Sequence, residues 1–316
     1  MFVGGCRVVL VYGISMIRNE ADIVRLNLQY HLSLGVDRMI VIDNGSTDGT
    51  DEALQQISSR DARVSWSYDD GPFLPSAVIT RLAREAFRAG ADWVVPIDAD
   101  EFWYAPAGDF REVLKDSRAG VLVAQVVNFI QRRSQMKSSP DALLYMTRRV
   151  ASPVGPPGHG QGLVESGEIA FVEKMYPPKC ICRPAKKLEI ETGHHKVYNA
   201  DGPKEHTAKI VCLHAPIRSK AALEERIRTA GRAAEAGRKP GQGRNRRRLT
   251  ELQGESAVEQ EWAANSYDDD HLDVYGQHHP VIFDPRLRDV VAPFVPQPFW
   301  KRLYGSLGRL TGSTGA

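Results

Sequence analysis

The 316-residue chain predicts an α/β fold with a mostly parallel sheet and helices on both faces. Three observations carry this. Short β-branched runs alternate with helix-periodic segments through the first hundred residues. Two polar clusters fall where strands of such a sheet end, which is where these sheets bind ligands. The composition, 42% hydrophobic and 25% charged, is that of a globular protein rather than a disordered chain, a collagen-like fibre or a multi-span membrane protein. No run approaches the roughly 20 apolar residues that a spanning helix needs.

Residues 8–14 form a run rich in β-branched side chains, as expected of a strand buried on both faces. The run has no basic leader and passes straight into a polar motif, so it reads as a first strand, not a signal peptide. Residues 20–34 place Ile23, Leu26, Tyr30 and Leu34 at helical spacing, and Gly35 supplies a stop. Residues 38–43 predict the second strand, and a helix follows over 50–57 with Thr50 as a candidate N-cap. Residues 64–68 predict a third strand, 76–89 a helix and 91–97 a fourth strand. Strands are also expected over 120–129, 186–197 and 209–213, and a helix over 219–237. SPVGPPGHGQG at 152–162 reads as a flexible loop of the kind that also serves as a lid. The expected division is a catalytic domain over 1–217 and a basic, partly helical C-terminal extension over 218–316.

Four cysteines, Cys6, Cys180, Cys182 and Cys212, are too few for a disulfide scaffold and point to a reducing, cytoplasmic setting. Cys180-x-Cys182 lacks the second pair that a zinc site needs. Between residues 218 and 248 there are eleven Lys or Arg against three Glu. Such a segment is either a solvated helix and loop or a contact for anionic partners. It has no interleaved aromatic residues, which argues against nucleic acid. Near the C-terminus, FVPQPFWKRLYGSLGRL spaces apolar and basic residues as a helix that packs on the body or lies on an anionic membrane.

Asp98 and Asp100 follow an apolar strand in WVVPIDADEFW. Two carboxylates at i and i+2 beyond a strand end either cap it in solvent or converge on one hard divalent cation, which suits a diphosphate. The second cluster, Asp43 to Thr50, combines carboxylates with glycines that allow close backbone approach. It is neither a Walker loop nor a dinucleotide fingerprint, and a turn with a helix cap explains it equally well. Trp93, Phe102 and Trp103 beside the acidic pair are candidates for stacking on a sugar or base, with Trp93 reading as core and Trp103 the more open.

Together, MIRNEADIVRLNLQYHLSLGVDRMIVIDNGSTDGT and the later GADWVVPIDADEFW resemble the family 2 glycosyltransferases of GT-A fold. Within them they resemble the branch with an RNE…YH…G helix and a DADEF motif. The resemblance is strong over 15–103 and extends weakly through GHHKV (193–197) and LHAPIRS (213–219). It implies a nucleotide-diphosphate sugar donor, usually a UDP-sugar, with Mn²⁺ or Mg²⁺ as cofactor. It places Glu20 and Asp43 at the donor nucleotide, Asp48 in the matching turn, and Asp98 and Asp100 at the metal and ribose-diphosphate. Asn44 departs from the family pattern, where a second Asp is common. A far-half histidine often completes the metal shell, with His214 the first candidate and His195 the alternative, and neutral imidazole suits Mn²⁺. Each is equally readable as a histidine held in place by hydrogen bonds. Arg218 is a candidate diphosphate clamp, because guanidinium pairs bidentately with phosphate oxygens.

The implied reaction is displacement at an anomeric carbon by an acceptor hydroxyl, with inversion, which needs a carboxylate base. Glu165, Glu168 and Glu173 flank the glycine-rich loop and are the candidates. The expected partners are a nucleotide-sugar donor and a glycan or lipid-linked acceptor of cell-surface polysaccharide synthesis, with peripheral contact at the inner face of the membrane. Two rivals stand beside this reading. A nucleotidyltransferase would need a Gly-rich phosphate loop after the first strand, which MIRNEAD is not. A non-catalytic nucleotide-sugar-binding protein would have broken acidic motifs, whereas Asp43, Asp98 and Asp100 are all present.

Overall fold

The computed structural model describes residues 8–156, 160–234, 255–268 and 280–296. Among these an eight-stranded sheet organises the molecule. Its strands are β1 (Val11–Ile17), β2 (Arg38–Asp43), β3 (Val64–Tyr68), β4 (Trp93–Pro96), β5 (Glu101–Tyr104), β6 (Val121–Asn128), β7 (Lys179–Cys182) and β8 (Lys204–His214). The spatial order is β3-β2-β1-β4-β7-β6-β8-β5. The first four are parallel, β7 runs antiparallel to both β4 and β6, β8 is parallel to β6, and β5 returns antiparallel along β8. Six of the eight therefore point the same way, as the alternating pattern predicts.

Helices cover both faces. On one side lie α1 (Val24–Ser33) and α2 (Thr50–Ser58), whose Leu26, Leu28 and Leu54 share a core with Val11, Val41 and Trp93. On the other lies α3 (Pro75–Arg88), with Val78, Ile79 and Leu82 against Tyr12, Ile14 and Val94. Pro75 suits the first turn of α3, where its missing N–H costs nothing. A third cluster joins Ile130, Val150, Phe171 and Ile217 to Leu223 of α4 (Lys220–Ala234) and Trp262 of α5 (Glu255–Ala264). Leu287 and Val291 of α6 (Arg286–Val291), with Val295, pack into the β1 core. Chain on both sides of residue 217 thus contributes to shared cores.

Several expected elements shift. The first strand starts at Val11, three residues later than expected, and runs on to Ile17. The strand expected at 186–197 is present only as the short pair Glu189–Ile190 and Val197–Tyr198, while β7, unpredicted, enters the sheet between β4 and β6. Thr50 is not the N-cap of α2. Gly49, at φ 93°, holds that position, and the Asp48 carboxylate accepts from the Thr50 backbone N–H at 3.0 Å. Phe102 and Trp103 are fully buried like Trp93, and the Trp103 indole N–H donates to the Pro96 carbonyl at 3.2 Å. Cys180, Cys182 and Cys212 are buried free thiols. Among the described residues no helix is long and apolar enough to cross a membrane. Cys6, most of the basic segment beyond 234 and the tail from 297 lie outside the described residues.

Candidate active site

The ends of β1, β4 and β8 open into one cavity of about 610 Å³. Residues 16–22, 98–101, 192–195 and the first turns of α4 line it, with His214, Lys179 and Tyr176. Phe73 and Pro75 form an apolar stretch of its wall.

The acidic turn after β4 is held in place by α1. Asn27, Tyr30 and His31 lie at i, i+3 and i+4, so they share one helix face. The Asn27 amide donates to the carbonyls of Ala99 and Glu101 at 3.0 and 2.8 Å, and the Tyr30 hydroxyl donates to Trp103 O at 2.6 Å. His31 accepts from the Trp103 N–H at 3.2 Å on Nε2, while its Nδ1 donates to Asn27 O at 2.8 Å. Burial brings the His31 pKa down to about 4.

A second staple joins the loops after β1 and β2. Asp48 accepts from the Thr50 hydroxyl at 2.6 Å and from Ala21 N at 3.1 Å, and Thr50 Oγ1 accepts from Glu20 N at 2.9 Å. Asn19, in the left-handed region at φ 55°, accepts on Oδ1 from Thr47 N at 2.8 Å. Asp48 lines the cavity while serving this structural role. Asp43 does not line it. It is buried at the end of β2, with Oδ1 accepting from Ser46 and Oδ2 lacking any protein partner. Burial raises its pKa, against the Ser46 hydrogen bonds. Asn44 donates to the carbonyls of Asp69 and Gly71, pinning the loop after β3.

Two histidines flank the acidic pair. Pairing of β8 with β5 sets His214 opposite Glu101, and pairing with β6 sets it opposite Asn128. Its Nδ1 donates to Asn128 Oδ1 at 2.8 Å, so Nε2 presents a lone pair toward Asp100 Oδ2 at 3.5 Å. The Tyr176 ring packs on His214, with centroids 4.9 Å apart. On the other side His194, not His195, faces Asp98, with Nδ1 at 3.9 Å from Oδ2 and no hydrogen-bond partner. His195 lines the cavity but donates from Nδ1 to Pro178 O at 3.1 Å.

Lys179 was not anticipated. It is 1% exposed, yet its ammonium donates to Asp98 Oδ2 at 2.6 Å and also contacts Glu101. Burial alone would raise the Asp98 pKa, but Lys179 and His194 outweigh it and hold it at about 2. Burial pushes Glu101 up to about 8, with Lys179 opposing. Burial would raise the Asp100 pKa, but His214 in its protonated form and Arg226 outweigh it and hold the carboxyl well below the ordinary range. Burial lowers the pKa of His214, which keeps the imidazole neutral.

Among the described residues, two groups bring ligand atoms within 4.8 Å of one another, Asp98–Glu101–His194 and Asp100–Glu101–His214. An ammonium already occupies the first. The second offers carboxylates and a neutral imidazole oriented from behind, a donor set that fits Mn²⁺, or Mg²⁺ with more water.

Arg218 is not an open clamp. It is 5% exposed and donates to both oxygens of Asp22 at 2.6 and 2.7 Å and to Glu20 at 2.7 Å. Burial moves the Glu20 pKa up to about 7 against the pull of Arg218. Glu165, Glu168 and Glu173 do not line the cavity. The first two are exposed and bonded locally to Gln161 and Ser166, and Glu173 accepts from Ala170 N at 2.7 Å within its own turn. Arg226 of α4, by contrast, reaches the cavity and donates to Asp100 Oδ2 at 2.7 Å. Two of the unanticipated residues carried a visible signal. Lys179 opens an otherwise apolar KCIC run, the signature of a buried and paired charge. Glu101 sits beside Asp98 and Asp100 in the same DADEF motif.

The profile of glycosyl transferase family 2 matches residues 17–199. A glycosyltransferase family 92 protein of Ricinus communis is 31% identical over 116 residues, 35% of this chain and 20% of the relative. One of Arabidopsis thaliana is 34% identical over 92 residues, 29% of this chain and 16% of the relative. The chain thus spans about a fifth of the length of the curated relatives it matches. Among solved structures, S. aureus TarS 1–349 aligns at TM-score 0.37 and 12% identity, covering 74% of this chain and 68% of that one. Mannosyltransferase PcManGT from Pyrobaculum calidifontis, in complex with GDP-Man and Mn²⁺, aligns at TM-score 0.37 and 15% identity, covering 96% and 81%.

Proposed function

The chain belongs to glycosyl transferase family 2, and on that premise we propose that it transfers a sugar from a nucleotide-diphosphate donor, a UDP-sugar, to an acceptor hydroxyl with inversion. The observation that carries this reading is the convergence of Asp100, Glu101 and His214 on one cavity with the loops after β1 and β4. Asp100 and His214, with Glu101, would hold Mn²⁺ or Mg²⁺. A divalent ion there supplies positive charge against the departing diphosphate.

The chain's own residues prepare the rest. Lys179 keeps Asp98 ionised and fixed beside the ion position. The apolar wall at Phe73 and Pro75 suits the face of a nucleobase. Arg218 locks Glu20 and Asp22, which shapes the cavity floor. In the transfer itself the acceptor oxygen bonds to the anomeric carbon as the bond to the diphosphate oxygen breaks, and the hydroxyl proton passes to a base. Use in cell-surface glycan synthesis, with the acceptor presented at the inner face of a membrane, completes the proposal.

Calorimetric titration of UDP with and without Mn²⁺, repeated on Asp100→Ala, tests the site. Metal-dependent binding lost in the variant supports it, and binding that ignores both metal and variant overturns it. NMR of the product's anomeric configuration then tests inversion.

A further inference from the structure

Two arginines of the segment 218–226 approach the cavity, and the structure uses them differently. Arg218 is held by carboxylates: its Nε and one terminal nitrogen make three bonds to Asp22 and Glu20, at 5% exposure. Arg226, two turns further along α4, is 29% exposed and reaches into the cavity to Asp100. The oxygen it binds is Oδ2, the same atom that faces His214 Nε2 at 3.5 Å. That atom is the one a metal ion held between Asp100 and His214 would need. A guanidinium at 2.7 Å and a divalent cation cannot share one carboxylate oxygen without strong like-charge repulsion across a few ångströms.

The helix that carries Arg226 is well anchored. Leu223 is buried in the third apolar cluster, Ile227 packs against it, and the Ser219 hydroxyl accepts from Ala222 N in the first turn. An exchange at Asp100 therefore calls for rotation of one long side chain, not for movement of α4. The rotated guanidinium stays beside the ion position, where a diphosphate bound to that ion places its oxygens. Planar guanidinium pairs with such oxygens bidentately.

We infer that Arg226, which bonds Asp100 Oδ2, gives up that carboxylate to an ion bound there and turns its guanidinium to the donor diphosphate. The inference rests on the proposed reading of Asp100 and His214 as ion ligands.

The test uses Mn²⁺ alone, then UDP at saturating Mn²⁺, titrated calorimetrically into the full-length wild type and into Arg226→Gln, Arg226→Lys and Asp100→Asn. A charged hydrogen bond of this kind competes by about tenfold or more. Arg226→Gln should therefore bind Mn²⁺ about tenfold more tightly than wild type. It should bind UDP about tenfold more weakly once the metal is saturating, while uridine, which has no phosphate, is unaffected. Arg226→Lys should fall between the two, and thermal melting verifies that each variant is folded. Equal Mn²⁺ affinity in wild type and Arg226→Gln, or equal UDP affinity at saturating Mn²⁺, overturns the inference while leaving the site reading intact. Absence of Mn²⁺ binding in both, or unchanged binding in Asp100→Asn, removes the site reading and the inference with it.

Discussion

The Lys179 ammonium donates to Asp98 Oδ2 at 2.6 Å and touches Glu101 from the same buried position, so one cation from β7 governs two of the carboxylates that follow β4. Asp98 keeps 40% of its side-chain surface open, whereas Glu101 keeps 1%. Most of the cost of losing this cation therefore falls on Glu101.

Above about pH 8, where Glu101 is ionised, Lys179→Met should destabilise the protein by about 3–5 kcal/mol, because it strands a buried carboxylate. Lys179→Met/Glu101→Gln should recover a large part of that loss, since the neutral amide no longer needs a counter-charge. Urea unfolding of the two variants and of Glu101→Gln closes the cycle, and strict additivity would contradict the pairing.

Asn128 acts on the ion position through His214. Asn128→Ala removes the acceptor that fixes the ring and its tautomer, and Mn²⁺ affinity should fall about 10–100-fold. His195→Gln, whose parent histidine is turned to Pro178 O, should leave Mn²⁺ affinity near the wild-type value. Competition against a fluorescent chelator distinguishes them.

Glu165 and Glu168 are exposed and bonded only to near neighbours in sequence. Glu165→Gln and Glu168→Gln should keep turnover within about twofold of wild type, as surface changes away from a site do. A loss of several orders of magnitude in either would return that glutamate to candidacy as the base.

His31 predicts the acid limb of stability. Its pKa is about 4 in the fold against an ordinary 6.5, with burial as the cause. The unfolded chain therefore binds the proton first as pH falls, and stability contributed by the neutral ring is complete above about pH 6.5 and is lost progressively toward pH 4. The loss amounts to roughly 3 kcal/mol across that window. His31→Gln should flatten this part of the stability–pH curve, and an unchanged slope in urea midpoints between pH 7 and pH 4 would contradict it.

The first half of the fold was legible because each element writes its own pattern. β2 and β3 occupy the expected residues, 38–43 and 64–68, since an apolar Met-Ile-Val-Ile run and an alternation of Val, Trp and Tyr with Ser, each between turns, have few alternatives. β7 was not, because Lys179-Cys180-Ile181-Cys182 is short and owes its strand conformation to β4 and β6 on either side. The acidic turn was readable from its position at a strand end. The supports behind it were not: Tyr30 reads as a core position by spacing, and only the three-dimensional pairing with Trp103 O reveals its hydroxyl at work. The partners of Arg218 were hidden for the same reason. A guanidinium in a basic stretch looks available until Glu20 and Asp22, almost two hundred positions away, are found wrapped around it.

The Asp48 staple has a consequence for how the protein is made. Asp48 and Thr50 tie the loops after β1 and β2 together using only the first fifty residues. His214 and Arg226, by contrast, come from far downstream, and β8 docks only through long-range pairing with β5 and β6. During translation the loops after β1 and β2 are therefore able to take shape before the downstream side of the cavity, which waits for β8 and α4 to leave the ribosome.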